Sequence, residues 1–275
     1  MKVSPLLVAL GVSAVALTGC SSAQESSAPV SSQAKSHYQD GQKATVKSVD
    51  TGNTVTVEID GKSEQVRLLN VVAPSENNNV LSGSCMVQES KDFLASKLPV
   101  GQEVTLNFDD AQVGTSGFLD AAVLVGEDLV NAEVTGAGMA ATTFATQKDE
   151  FYPQVSEAQQ QAAKDGKGIY STDTECTVPH ALKEAIDQVK SAGDKSNEDE
   201  RKVVYQKASA LYNSLDESES APASYLGSIV TLDAVKKQME DLRTALGDNY
   251  YDETGLSQAE KQSASASATA RPGSK

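Results

Sequence analysis

Metal-ligand and nucleophile chemistry has few residues to draw on in this chain, which carries three cysteines and two histidines among 275 residues. The histidines stand at 37 and 180, far from one another in sequence, and no Cys-x-x-Cys occurs, so a zinc site has almost no ligands to assemble. Cys20 lies near the start, and Cys85 and Cys176 stand in the body of the chain. In an oxidising compartment those two are expected to pair, closing a long loop and stabilising by roughly 3–5 kcal/mol in the chain-entropy model. Two free buried thiols are the alternative. Carboxylates are plentiful, with 38 Asp and Glu against 23 Lys and Arg and a formal net charge of −15. The excess is not confined to the tails, since residues 40–178 hold nine Lys/Arg against 21 Asp/Glu. Such a field repels a polyanion, and a broad nucleic-acid surface is disfavoured.

The segments that must carry these groups begin with Met1-Lys2 and an apolar run from Leu6 to Leu17, too short to span a bilayer and placed as a signal-peptide core. Behind it, Leu17-Thr18-Gly19-Cys20 resembles a lipobox, in which the cysteine becomes the new N-terminus and is acylated on sulfur and amine. An ordinary secretory signal with an incidental cysteine is the alternative. Residues 1–19 are therefore expected to be a lipoprotein signal, with lipid attached to Cys20. Residues 20–40, rich in Ser, Ala and Gln, are expected to be a flexible tether. The expected address is the extracytoplasmic face of the cell membrane.

From Ala44 the chain reads as strands. Thr54 to Ile59 alternates with period two, Asp60-Gly61 is a hairpin signal, and Gln65 to Leu69 returns. A helix is expected over Gln88–Leu98, stopped by Pro99 and Gly101. A fourth strand runs through Val104, Leu106 and Phe108, and a fifth over Leu119–Val125. Helices follow around Leu129–Thr135 and Pro153–Lys164. The expected fold is α+β: over 41–177, a five-stranded Greek-key barrel of the OB type with three helices. Beyond Pro179, three stripes read as amphipathic helices packed as a hairpin or bundle over 178–250: Leu182/Ala185/Ile186/Val189, Val204/Ala208/Leu211/Leu215 and Leu232/Val235/Met239/Leu242/Leu246. Tyr250-Tyr251 is placed to cap their apolar seam. Residues 251–275, Ser- and Ala-rich, are expected to be disordered.

Several strings, taken in order, resemble the staphylococcal nuclease family. They are Val49-Asp50-Thr51-Gly52-Asn53-Thr54-Val55, Val66-Arg67-Leu68-Leu69-Asn70-Val71-Val72-Ala73-Pro74, Asp128-Leu129-Val130-Asn131-Ala132 and Gly168-Ile169-Tyr170-Ser171. The resemblance covers about residues 42–176, and exported relatives carrying one cysteine before the first helix and one after the last would match Cys85 and Cys176. It implies a calcium ion on two Asp and a Thr carbonyl, a Glu that sets up the attacking water, and two Arg that neutralise the phosphate, a division of labour that suits hard-ion phosphodiester hydrolysis. Position by position the set is depleted. The first Asp falls on Asn53, with Asp50 matching a turn residue; the second becomes Val72, the Thr becomes Ala73 and the Glu becomes Ser75, with Glu76 one residue beyond. The second Arg belongs in a Tyr-Gly-Arg-x-Leu pattern that here reads Ser116-Gly117-Phe118-Leu119-Asp120, so Phe118 takes its place; of the substrate-stacking tyrosines at most Phe144 remains. Arg67 alone survives, either as an anion site or paired with a nearby carboxylate. The expectation is no catalytic residues, no calcium, and a binding or scaffolding module of the envelope whose C-terminal helices meet another envelope protein. A residual or rewired phosphodiesterase is the alternative.

Overall fold

The computed structural model describes residues 38–76, 84–113, 117–143, 150–193, 196–252 and 254–269, with the side chains of 109–113 and 264–269 left aside. The signal, Cys20, His37 and Phe144 lie outside the described residues.

Strand β1 (Gln42–Thr51) turns through Gly52-Asn53 into β2 (Thr54–Ile59), and two register irregularities in β1 bend it so that it can pair on both edges. Asp60 and Gly61 both take positive φ, 50° and 79°, as a two-residue hairpin turn matched to strand twist requires. Strand β3 (Lys62–Leu68) then pairs with β2 without a slip, from Ile59↔Lys62 to Thr54↔Arg67. The short β4 (Val71–Val72) leads towards α1 (Val87–Lys97), followed by β5 (Glu103–Val113), β6 (Leu119–Val125), β7 (Asp128–Leu129), α2 (Val130–Gly136), β8 (Ala141–Thr142) and α3 (Tyr152–Lys164). The sheet order is β3-β2-β1-β5-β6-β7, and parallel pairing of β3 with β6 closes it into a five-stranded barrel of the OB type. The inward positions are the alternating Val55, Val57 and Ile59, joined by Val66, Leu68, Leu106 and Val123 and plugged by Leu94 and Leu98 from α1 and Val130 and Val134 from α2. Three two-residue strands, β4, β7 and β8, are too short to leave a period in the sequence.

Past the 3-10 turn Gly168–Tyr170 the chain is helical: α4 (Val178–Ala192), α5 (Glu198–Ser218), α6 (Tyr225–Val230) and α7 (Asp233–Leu246). Thr177 caps α4 through the His180 N–H, and Asn197 caps α5 by accepting from Asp199 and Glu200. Helix α6 is an addition to the three expected helices. All six of its residues are buried, so it shows no polar face and no amphipathic period. It also lies so close to its own lead-in that a Cβ on Gly227 would sit 2.0 Å from the Ala221 carbonyl oxygen.

These helices do not form a core of their own. Leu182, Leu215, Ile229, Leu242 and Leu246 pack in one cluster with Ala141, Ala162, Ile169 and Tyr170, so the cluster spans both sides of residue 178. Gln159 of α3, 1% exposed, stitches the two parts: its Oε1 accepts from the Thr142 N–H at 2.5 Å and its Nε2 donates to the Ser228 carbonyl at 3.3 Å. The described residues from Tyr38 onward accordingly form one compact unit. Tyr250 lies against this cluster with its hydroxyl on Asn213 Oδ1 at 2.5 Å and the Arg243 guanidinium 4.0 Å over its ring.

The expectation of disorder over 251–275 is corrected for the described residues 251–252 and 254–269. Tyr251 bridges to Ser257, and α8 (Gln258–Thr269) follows. A capping box outweighs the poor apolar content: Ser257 Oγ accepts from the Glu260 N–H at 3.1 Å while Glu260 Oε2 accepts from the Ser257 N–H at 2.8 Å. Lys202 of α5 then pairs with Glu260 at 2.9 Å.

Candidate functional site

A cleft of about 290 Å³ opens where the β1–β2 turn, the end of β3, the stretch leading to β4 and the start of β6 meet. The local sequence forces this arrangement. The turn is packed so tightly on α1 that a Cβ on Gly52 would lie 2.0 Å from Ser90 Oγ and 2.9 Å from the Ala73 Cβ. Asn70 takes φ 63°, a left-handed geometry that Asn tolerates, and this swings the chain from β3 into β4.

The structure brings Asn53, Arg67 and Val72 to the lining of this cleft, and leaves Ala73, Ser75, Glu76 and Phe118 off it. Both ends of the Asn53 amide are engaged: Nδ2 donates to the Val71 carbonyl at 2.8 Å, and Oδ1 accepts from the Thr51 and Thr54 hydroxyls at 3.1 and 3.4 Å. Asp50 faces across the hairpin, where it accepts from Ser48 Oγ at 2.8 Å and Thr56 Oγ1 at 2.7 Å. Val72 is half-buried and packs towards the helical cluster, Ala73 is buried in the barrel core, Ser75 is half-buried and Glu76 is exposed. Phe118 is half-buried just ahead of β6.

Arg67 is the one cation among the described residues that line the cleft, and it is bound. Its Nε and Nη2 donate to Oδ1 and Oδ2 of Asp120 at 2.7 and 2.8 Å, a two-pronged pair with the carboxylate side chain only 14% exposed. The pairing follows from barrel closure, because the parallel register sets Arg67 directly against Asp120. The hydrogen bond to Asp120 holds the guanidinium above its ordinary pKa, against the opposing effect of burial. Sequence reasoning named the class of partner for Arg67 but not the residue. The signal was present, since Asp120 is the one charge in an otherwise apolar strand, but only the β3–β6 register connects the two.

Two further features complete the surroundings. Thr143 Oγ1 donates to the Ala223 carbonyl at 2.8 Å, so the lead-in to α6 forms part of the cleft wall. Cys85 and Cys176 are joined in a disulfide, Cα–Cα 5.5 Å, that ties the approach to α1 to the approach to α4. Among the described residues no three His, Cys, Asp or Glu side chains gather in a way that could hold a metal ion.

A closed five-stranded barrel with a helix after its third long strand and two more after its fifth makes this an α+β protein built on an OB-type barrel, with the cleft at its mouth. Residues 65–172 match the family model of staphylococcal nuclease homologues. The chain is 26% identical over 145 residues to a thermonuclease of Staphylococcus hyicus, covering 53% of this chain and 85% of that protein. It is also 26% identical over 130 residues to a thermonuclease of Staphylococcus intermedius, covering 47% of this chain and 77% of that one. The barrel and its first three helices are thus a staphylococcal nuclease-like domain.

Proposed function

We propose that this nuclease-like domain is non-catalytic and serves, with its C-terminal helices, as a binding or scaffolding module held at the extracytoplasmic face of the cell membrane by lipid on Cys20. The observation that carries this reading is the bidentate Arg67–Asp120 pair in a cleft whose other lining residues supply no further cation and no unpaired carboxylate among those described. Phosphodiester hydrolysis of the calcium type asks for hard oxygen ligands, a base and cations aimed at developing charge. Asn53 already spends both ends of its amide on neighbours, Val72 offers no oxygen from its side chain, and Phe118 brings no charge. The donor set therefore does not fit calcium. The net charge of −15 supports the further reading that nucleic acid is not the partner. The helices are the part of the chain that the resemblance does not account for, and an envelope protein is the partner assigned to them.

The names of the two relatives favour the second reading, a residual phosphodiesterase. Purified protein is expected to release no more acid-soluble nucleotide from single-stranded DNA or RNA, with calcium present, than a mock preparation does. Turnover that Arg67→Ala abolishes would establish the second reading instead. The combined variant Asn53→Asp, Val72→Asp, Ser75→Glu and Phe118→Arg probes the geometry, and Asp120→Leu is added to it so that Arg67 is free to act.

No helix among the described residues is long and apolar enough to cross a membrane, so the anchoring rests on Cys20. Cys20→Ser should leave the protein unlabelled by palmitate and move it out of the membrane fraction. Unchanged acyl labelling together with retention after a high-salt wash would refute the anchor.

A further inference from the structure

Asp120 is the one charged residue in its strand. Its strand neighbours Leu119, Ala121, Ala122 and Val123 are buried, and the pattern Tyr-Gly-Arg-x-Leu to which this stretch was compared has an apolar residue there. A guanidinium takes a carboxylate or a phosphate along the same edge, with two parallel N–H groups on two oxygens. That edge of Arg67, Nε and Nη2, is filled by Asp120. The backbones of both partners are fixed by the strand register. Leu119, Asp120 and Ala121 are held in register against Val66, Arg67 and Leu68 on one edge, and Ala121 faces Phe108 on the other, while Arg67 faces Thr54. An oxyanion taking that same Nε/Nη2 edge would have to break two short charge-assisted bonds and leave a mostly buried carboxylate without its cation, which is costly.

We propose that Asp120 is a built-in counter-ion: it fills the oxyanion position of the cleft from within, so that Arg67 binds phosphate-type ligands only when Asp120 is removed. This deepens the non-catalytic reading and rests on it, because it supplies the reason why the one retained cation of the cleft does not work on phosphate esters. The ligand class that the cleft has given up is the tetrahedral oxyanion, with inorganic phosphate as its simplest member.

The test is a titration of the purified protein with inorganic phosphate, followed by the Arg67 Nε–H resonance. In the wild-type protein that resonance is expected to stay in place across the titration. Asp120→Asn and Asp120→Leu, checked for an unchanged fold by circular dichroism, are expected to bind phosphate at least about tenfold more tightly than wild type, as a freed charge-assisted fork should. Arg67→Ala added to either variant should erase the gain. A wild-type Nε–H signal that moves saturably with phosphate would overturn the proposal without any variant. So would folded Asp120 variants that bind no better than wild type, since the pair would then be only a clamp between β3 and β6. Neither result touches the absence of turnover, whereas cleavage of nucleic acid by the wild-type protein would refute the functional reading whatever phosphate does.

Discussion

Asn131→Ala is expected to destabilise the protein by about 3–5 kcal/mol, because one buried amide supports three backbone groups. Asn131 sits in the first turn of α2 with no exposed surface. Its Oδ1 accepts from the Val123 N–H at 2.9 Å, and its Nδ2 donates to the carbonyls of Leu69 at 2.8 Å and Ala121 at 3.2 Å. The amide thereby joins β6, the exit of β3 and α2. Ala121 O would still accept from the Leu69 N–H, but Val123 N and Leu69 O would lose the partner that Asn131 supplies, inside a core that water does not reach. Thermal unfolding should shift down by roughly 6–20 °C at this chain size. Asn131→Asp should be no better, since it exchanges a donor for a buried charge. A shift within about 2 °C for the alanine variant would mean that the strands and α2 hold one another without the amide.

The second large effect belongs to the disulfide. Cys85 and Cys176 are 91 residues apart, and a crosslink of that span lowers the entropy of the unfolded chain enough to stabilise by about 4–5 kcal/mol. The bond clips the approach to α1 onto the segment that enters α4, so it encloses α1, β5, β6, α2 and α3 in one loop. Urea midpoints measured with and without reductant should separate clearly. The double variant Cys85→Ala, Cys176→Ala should match the reduced wild-type protein. Equal midpoints for the oxidised and reduced forms would show that the native packing already supplies the constraint.

The barrel was legible because its strands alternate and its turns carry their own chemistry. Val55, Val57 and Ile59 announce an inward face, and Asp60-Gly61 fixes the register of the return. The family strings added an order that periodicity could not, and the family-model match over residues 65–172 covers all of them except the first, Val49–Val55. What remained hidden was of two kinds. Helix α6 is buried on every side and α8 is apolar on none, so neither shows the contrast that a period needs; α8 was nevertheless announced by Ser257-x-x-Glu260. The other kind is long-range. Arg67 with Asp120 and Gln159 with Ser228 are 53 and 69 residues apart, and each pair meets only through a register or a packing angle set by the rest of the fold.

The stitching by Gln159 bears on how the helices and the barrel hold together. One amide holds Thr142 of β8 and Ser228 of α6, Thr143 holds Ala223, and β8 is paired through Ala141 to Val72 at the edge of the cleft. Helix α6 and the lip of the barrel are therefore joined by a continuous run of hydrogen bonds. Displacing α6 would cost Gln159 and Thr143 their bonds to Ser228 and Ala223, so the segment that pairs with Val72 at the edge of the cleft would lose its tie to the helices.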